Sequence, residues 1–249
     1  MAIFLKKFET VNQYNAYTAD TANFILPNVS LTVDNNTVHY NPSTPPTPSH
    51  DYVEIGGIKW ATMNVGATGI TDGGLHFEWG GTEGYTAAQV GEGEGQKYFG
   101  EEDNIFYGTY GYTKYTGDID SGGDGLTTLQ AADDAVTTAW GGNWRMPTRG
   151  EYELLLENVT TAWTTDYQGS GVSGLVCTDN VDNSKVLFFP NAGGFSNGNA
   201  SYYEGEYWSS SLNDEGERYS DKFTFSNGYA GCGGTDRYGG CSVRGVLDE

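Results

Sequence analysis

Four of the chain's seven prolines fall in one short stretch, Asn41-Pro-Ser-Thr-Pro-Pro-Thr-Pro-Ser-His50, which has no aliphatic or aromatic-hydrocarbon side chain apart from the proline rings. Such a segment is stiff, extended and unable to pack a core. It divides the sequence into residues 1–41, a linker at 42–50, and residues 51–249. The first piece is too short to bury a secure core alone. Within it Thr10-Val-Asn-Gln13 matches a capping box, and Val11, Tyr14 and Tyr17 predict one helix face. Phe24–Val33 and Thr37–Tyr40 flank Asp34-Asn-Asn36 and predict a hairpin. Its apolar residues (Phe4, Phe8, Phe24, Ile25, Leu26, Val29, Leu31) need a partner, so residues 1–41 are expected to drive self-association or attachment to a particle such as a virion.

The second piece opens with Tyr52–Ile55 and Ile58–Met63 around Gly56-Gly57, a suitable two-residue hairpin turn. Residues 66–125 are rich in Gly, Asp, Glu and Tyr and have little periodicity, as in long irregular structure held by function or ions. Thr127–Trp140 predicts a helix with Leu129, Ala132, Val136 and Ala139 on one side. Thr148-Arg-Gly-Glu151 is a capping box ahead of Tyr152, Leu155, Leu156 and Val159, a second helix. Short strands follow at 174–178, 185–189, 207–211, 222–226 and 241–246, with Asn227-Gly228 as a hairpin turn. Strands, two helices and then strands predict an α+β fold with short antiparallel strands.

Charge narrows the function. Three of the 33 acids and two of the 12 bases lie in residues 1–50, leaving 30 acids against 10 bases in residues 51–249. That surface repels phosphate backbones and anionic lipids, so no nucleic-acid partner is expected. No run approaches the length of a membrane span, and no signal h-region is visible in the N-terminal residues. Three cysteines make no disulfide framework, and no CxxC pair indicates zinc. Asp118-Ile-Asp-Ser-Gly-Gly-Asp124 has a faint likeness to a calcium loop but misplaces its glycine and distal Glu. Asp118, Asp120 and Asp124 are thus the metal candidates, with calcium the one metal considered and no other cofactor expected. No GxSxG elbow, P-loop or HExxH is present, and the carboxylate pairs are those of any acidic chain. No catalytic residue is assigned.

From Ser196 to Gly240 the chain is rich in Tyr, Asn, Ser, Gly and Asp, interrupted by Trp208, Phe223 and Phe225, with Val243 just beyond. Tyr, Ser, Gly and Asn are the residues of antibody paratopes, where Tyr gives area with few rotors and the others adapt.

Glu54-Ile-Gly-Gly-Ile-Lys-Trp-Ala-Thr-Met-Asn-Val-Gly-Ala67, Trp140-Gly-Gly-Asn-Trp-Arg-Met-Pro-Thr148, Tyr207-Trp-Ser-Ser-Ser211 and Ser242-Val-Arg244 occur in that order across residues 51–249. Together they resemble the Bacteroidetes and Fibrobacter paralogous domain of C-type lectin-like fold. That group includes the variable proteins of diversity-generating retroelements, among them phage tropism determinants. Leu26-Pro-Asn-Val-Ser30 and Val38-His-Tyr-Asn-Pro42 are similar to the leader of proteins from gut Bacteroidales phages. The resemblance implies a C-type lectin-like fold and a variable region at about 207–246, carried on a virion or particle surface.

In that family template adenines are mutated, so AAY codons become NNY. Such codons never encode Glu, Lys, Gln, Trp or Met. By that filter Trp208, Glu215, Glu217 and Lys222 are scaffold or drift, not diversified positions. Asn213, Asp214, Arg218, Asp221, Thr224, Asn227, Tyr229, Gly231, Gly233, Asp236, Tyr238 and Gly239 fit the variable, ligand-binding set. The expected function is a diversified receptor-binding protein, not an enzyme, whose partner is a protein or glycan on a cell surface. The alternatives are an undiversified adhesin or carbohydrate-binding lectin, and an enzyme related to formylglycine-generating enzymes, which would need Cys232 and Cys241 as a reactive pair. Two structural expectations follow. Tyr52–Ile55 should pair with Val243–Val246. Asn213, Asp221, Tyr229, Asp236 and Tyr238 should share one exposed surface above buried Trp208, Phe223, Phe225 and Val243.

Overall fold

The computed structural model describes residues 29–34 and 37–42 by their backbone, and residues 50–117 and 122–249 in full. The chain divides into two compact units, Met1–Ser49 and His50–Glu249. In the first, β1 (Val29–Asp34) and β2 (Thr37–Pro42) form an antiparallel hairpin closed at Asp34 and Thr37. The helix expected over Thr10–Tyr17 lies outside the described residues.

In the second unit the elements run β3 (Tyr52–Ile55), β4 (Ile58–Asn64), β5 (His76–Phe77), β6 (Tyr107–Gly108), β7 (Gly111–Tyr112), α1 (Ala135–Trp140), β8 (Trp144–Arg145) and α2 (Arg149–Asn158). They continue with β9 (Val159–Thr164), β10 (Gly174–Asp179), β11 (Val186–Pro190), β12 (Gly194–Ser196) and β13 (Asn199–Ser201). Last come β14 (Gly205–Leu212), β15 (Tyr219–Ser226), β16 (Tyr229–Asp236), β17 (Gly240–Ser242) and β18 (Arg244–Leu247). The largest sheet has the order β13-β12-β17-β14-β15-β16, with β5 also on β17. A four-stranded sheet runs β3-β4-β18-β8, and a three-stranded one β11-β10-β9.

The architecture is mostly β, with 39% strand against 14% helix and a curled half-barrel of sheet, which corrects the α+β expectation. The helical share is small because the first predicted helix barely forms. Asp134 sits in extended backbone (φ −93°, ψ 116°), and its buried carboxylate accepts from Thr137 N at 2.9 Å and Met146 N at 2.8 Å. It therefore caps α1 at residue 135, eight residues later than predicted, and leaves Ala132 outside the helix. The second helix forms as its capping box requires: Thr148 Oγ1 accepts from Glu151 N, and Glu151 accepts from Thr148 N at 2.7 Å. Arg145 locks the same Glu151 through two nitrogens, at 2.8 and 2.6 Å.

The hairpin β3–β4 turns through Gly56 (φ +60°) and Gly57 (φ +79°), a conformation glycine reaches without penalty. Tyr52–Ile55 does not pair with β18, however. β4 lies between them, its Trp60 opposite both Val53 and Val246. The seven-residue β4 offers both of its edges, so the two ends of the unit meet in one sheet without touching as strands.

Two hydrophobic clusters make the core. One gathers Trp79, Tyr115, Val136, Trp144, Trp208 and Val243. The other gathers Trp60, Tyr152, Phe189, Tyr207, Phe223 and Phe225, with Tyr152 stacked on Phe223 at 4.9 Å. Aromatic rings supply packing area that a chain with few aliphatics lacks.

Candidate functional site

The C-terminal meander β14–β15–β16 builds the candidate site. Its register pairs Tyr207 with Phe223, Phe225 with Gly205 and Ala230, and Phe223 with Cys232. Directly paired residues share a face, so this face enters the second cluster beneath α2. The opposite face carries Glu206 with Thr224, Trp208 with Lys222, and then Gly231 and Gly233 on β16. Trp208 plugs into the first cluster. Beyond it the half-barrel opens into a groove of about 240 Å³, walled by Ser196, Asn199 and Ser201 and floored by Glu206, Lys222 and Thr235.

The floor is polar and paired. Lys222 Nζ donates to Glu206 Oε2 at 2.6 Å, and that oxygen lies 3.6 Å from Cys241 Sγ. Burial works against the Lys222 ammonium, but the carboxylates of Glu206 and Glu204 outweigh it and hold its pKa above the ordinary lysine value. Thr224 donates to Glu204 at 2.9 Å. A charged pair removed from water in this way stays fixed, because breaking it would leave a buried charge alone.

The proposed variable residues divide sharply. Asp214, Arg218, Asn227 and Tyr229 are exposed, Tyr229 at 53%. Gly231, Gly233 and Asp236 are half-buried along β16, and a Cβ on Gly233 would meet nothing within 4 Å. Asn213, Asp221, Thr224, Tyr238 and Gly239 are buried. The expectation of one exposed surface for Asn213, Asp221 and Tyr238 is therefore corrected. Asn213 donates to Asp221 at 2.7 Å, Arg149 reaches the same carboxylate at 3.2 Å, and Asn213 Oδ1 accepts from Glu215 N at 2.9 Å. This network ties the 213–218 loop to β15 and α2. Burial raises the Asp221 pKa, against the pull of Asn213 and Arg149. Tyr238 is turned inward, with its hydroxyl on Asp236 at 2.9 Å. Sequence composition could not separate these positions, since small polar residues fill both loops and buried networks. Trp208, Phe223, Phe225 and Val243 are fully buried, as expected of a scaffold.

Arg237 is buried and donates to three backbone carbonyls: Tyr115 at 3.2 Å, Glu217 at 2.9 Å and Lys114 at 3.1 Å. Its guanidinium lies over Tyr112 at 4.4 Å and Trp79 at 4.8 Å. Burial pulls its pKa down to about 10, so it remains a cation at neutral pH. It pins the irregular 104–117 segment, where Tyr115 holds a left-handed φ of +57°, to the end of β16. Arg244 plays the same part elsewhere, donating to Asn64 at 2.8 Å, Ala61 at 2.8 Å and Phe188 at 3.0 Å.

Of the metal candidates, Asp118 and Asp120 lie outside the described residues. Asp124 accepts from the backbone of Tyr115 at 2.7 Å and of Thr116 and Leu126 at 3.0 Å. Those bonds occupy it as a loop staple and outweigh the opposing effect of burial, leaving its pKa below the ordinary value. Among the described residues no three His, Cys, Asp or Glu side chains gather to hold a metal ion. Cys232 and Cys241 belong to opposite faces, Cys232 near the Arg149 carbonyl at 4.0 Å and Cys241 beside Glu206. Burial pushes Cys232 up to about 12 and raises Cys241 well above its ordinary value. Both are free cysteines. No helix among the described residues is long and apolar enough to cross a membrane.

No family model matches this chain, and neither a curated protein nor a solved structure matches it.

Proposed function

We propose that this chain is a ligand-binding protein with a diversified surface, varied by adenine mutagenesis from a retroelement template and carried on a virion or particle by its N-terminal unit. The binding surface consists of Asp214, Arg218, Asn227, Tyr229, Gly231, Gly233 and Asp236. The observation that carries the proposal is the contrast across the β15–β16 hairpin. One face is closed by Phe223 and Phe225, both fully buried. The other lines an open groove beside Gly233, where an added Cβ meets nothing within 4 Å, while Asp214, Arg218, Asn227 and Tyr229 are exposed. Trp208 and Lys222, which NNY codons cannot produce, are a core plug and the partner of Glu206. The sequence resemblance supplies the mechanism of diversification, and a fixed core under changeable positions is what such a mechanism requires.

The test is the DNA beside the gene. A near-copy of the codons for residues 207–246, differing at adenines and next to a reverse transcriptase, is the expected result. Its absence would favour an undiversified adhesin. Differences concentrated at the codons for Asn213, Asp221, Thr224 and Tyr238 would refute the division between surface and scaffold.

A further inference from the structure

The edge of the large sheet beside this surface is open. β16 is an edge strand of eight residues, paired only with β15 among the described residues. Its register closes on Ser226 and Tyr229 across a two-residue turn and runs without a bulge to Tyr219 and Asp236. Tyr229, Gly231, Gly233 and Thr235 therefore direct their N–H and C=O toward β15, while Ala230, Cys232 and Gly234 direct theirs outward. No other backbone group among the described residues bonds to those three. Native proteins guard such edges with lysine, proline, bulges or a covering segment. Tyr229–Asp236 has no lysine, no proline and no bulge, and Gly231 and Gly233 leave its groove face low.

We infer that the free edge of β16 takes up an extended, basic polypeptide segment of the ligand as an added strand. The inference rests on the binding reading above and names the partner class for the same surface. Charge selects the occupant. Beside the strand Glu153, Asp214, Asp221 and Asp236 stand against two arginines, Arg149 paired with Glu153 at 2.8 Å and Asp221 at 3.2 Å and Arg218 paired with Asp236, which leaves an acidic excess. Two copies joined edge to edge would bring these acids together on chains of net charge −21, whereas a basic segment is attracted. Main-chain bonds to Ala230, Cys232 and Gly234 are independent of the partner's side chains. Alternate side chains of the added strand would pass over the groove face, beside Tyr229, Gly231 and Gly233. Those three positions belong to the variable set, so a constant edge gives affinity and the diversified positions give choice.

The test uses the full chain and a blocked octapeptide of alternating lysine and valine, with amide hydrogen exchange followed by NMR. Slowing of the Ala230, Cys232 and Gly234 amides by tenfold or more at saturating peptide is expected. An analogue N-methylated at alternate residues and a glutamate–valine octapeptide should not produce it. Ala230→Pro, which removes an outward donor at an edge position where proline is tolerated, should weaken the peptide several-fold. Unchanged exchange at the three amides, or equal protection by the methylated analogue, overturns the inference. Protection that rises with protein concentration alone assigns the edge to a second copy and also overturns it. If the edge fails while the adenine-differing template is found, diversified binding stands and the ligand is read by side chains only. If the edge pairs and no template exists, the edge stands and diversification falls.

Discussion

Replacing Arg237 by Met keeps most of the aliphatic stem and removes the charged fork. Three carbonyls, that of Tyr115 in a buried bond and those of Glu217 and Lys114 in part-buried ones, lose their donors. A hydrogen bond from a charged donor contributes about 1.5–3 kcal/mol, and an acceptor left dry costs about 1–3 kcal/mol. The guanidinium also loses its places over Tyr112 and Trp79, about 0.5–2 kcal/mol more. Against this, the desolvation cost of burying a cation is no longer borne, which removes several kcal/mol of the gross figure. The net expectation is a destabilisation of about 3 kcal/mol. At about 2–4 °C per kcal/mol for a domain of this size, Tm falls by about 6–12 °C. Urea unfolding followed by tryptophan fluorescence measures it. Arg218→Met is the control, because Arg218 pairs with Asp236 at the surface and such pairs contribute about 0–1 kcal/mol. An Arg237→Met protein as stable as the parent to within about 0.5 kcal/mol would refute the claim that this side chain anchors the irregular segment.

Burial lowers the His76 pKa, and its Nδ1 has no partner among the described residues, so its neutral form is present above about 6.5 and the associated stability is lost as pH falls from there toward its folded value. The stability difference between pH 7 and 5.5 should shrink in His76→Phe, read by urea titrations at both pH values. Gly205→Ala drives a Cβ into the Phe225 ring and should cost about 1–3 kcal/mol, whereas Gly233→Ala should stay within about 0.5 kcal/mol by thermal unfolding. With their pKa values raised, Cys177, Cys232 and Cys241 should react slowly with a thiol reagent at pH 7.5 in the native state and all three quickly in urea. Rapid native labelling of Cys232 or Cys241 would favour the enzyme alternative.

Where a local rule acted alone, the sequence was readable. The Gly56-Gly57 and Asn227-Gly228 turns and the Thr148/Glu151 capping box form where their chemistry requires. The first helix was misread because Asp134 works through Met146, which lies beyond any helical window. β16 has no hydrophobic alternation to announce it, since Gly231, Gly233 and Gly234 replace the side chains that mark a strand. Within the candidate site the aromatic scaffold was legible, because Trp208, Phe223 and Phe225 are too large to be placed elsewhere. Burial of Asn213, Asp221 and Tyr238 was not, because a hydrogen-bonded network among distant residues leaves no periodic trace.

The central claim is that a changeable surface sits on a fixed core, and paired display libraries test it most directly. One library randomises positions 214, 218, 227, 229, 231, 233 and 236 with NNY codons, and the other randomises 213, 221, 224 and 238. The account predicts that most members of the first are displayed folded, by protease resistance, and yield binders against unrelated protein targets, while most members of the second are cleaved. Equal protease resistance in both libraries, or a first library that is largely unfolded, would contradict it.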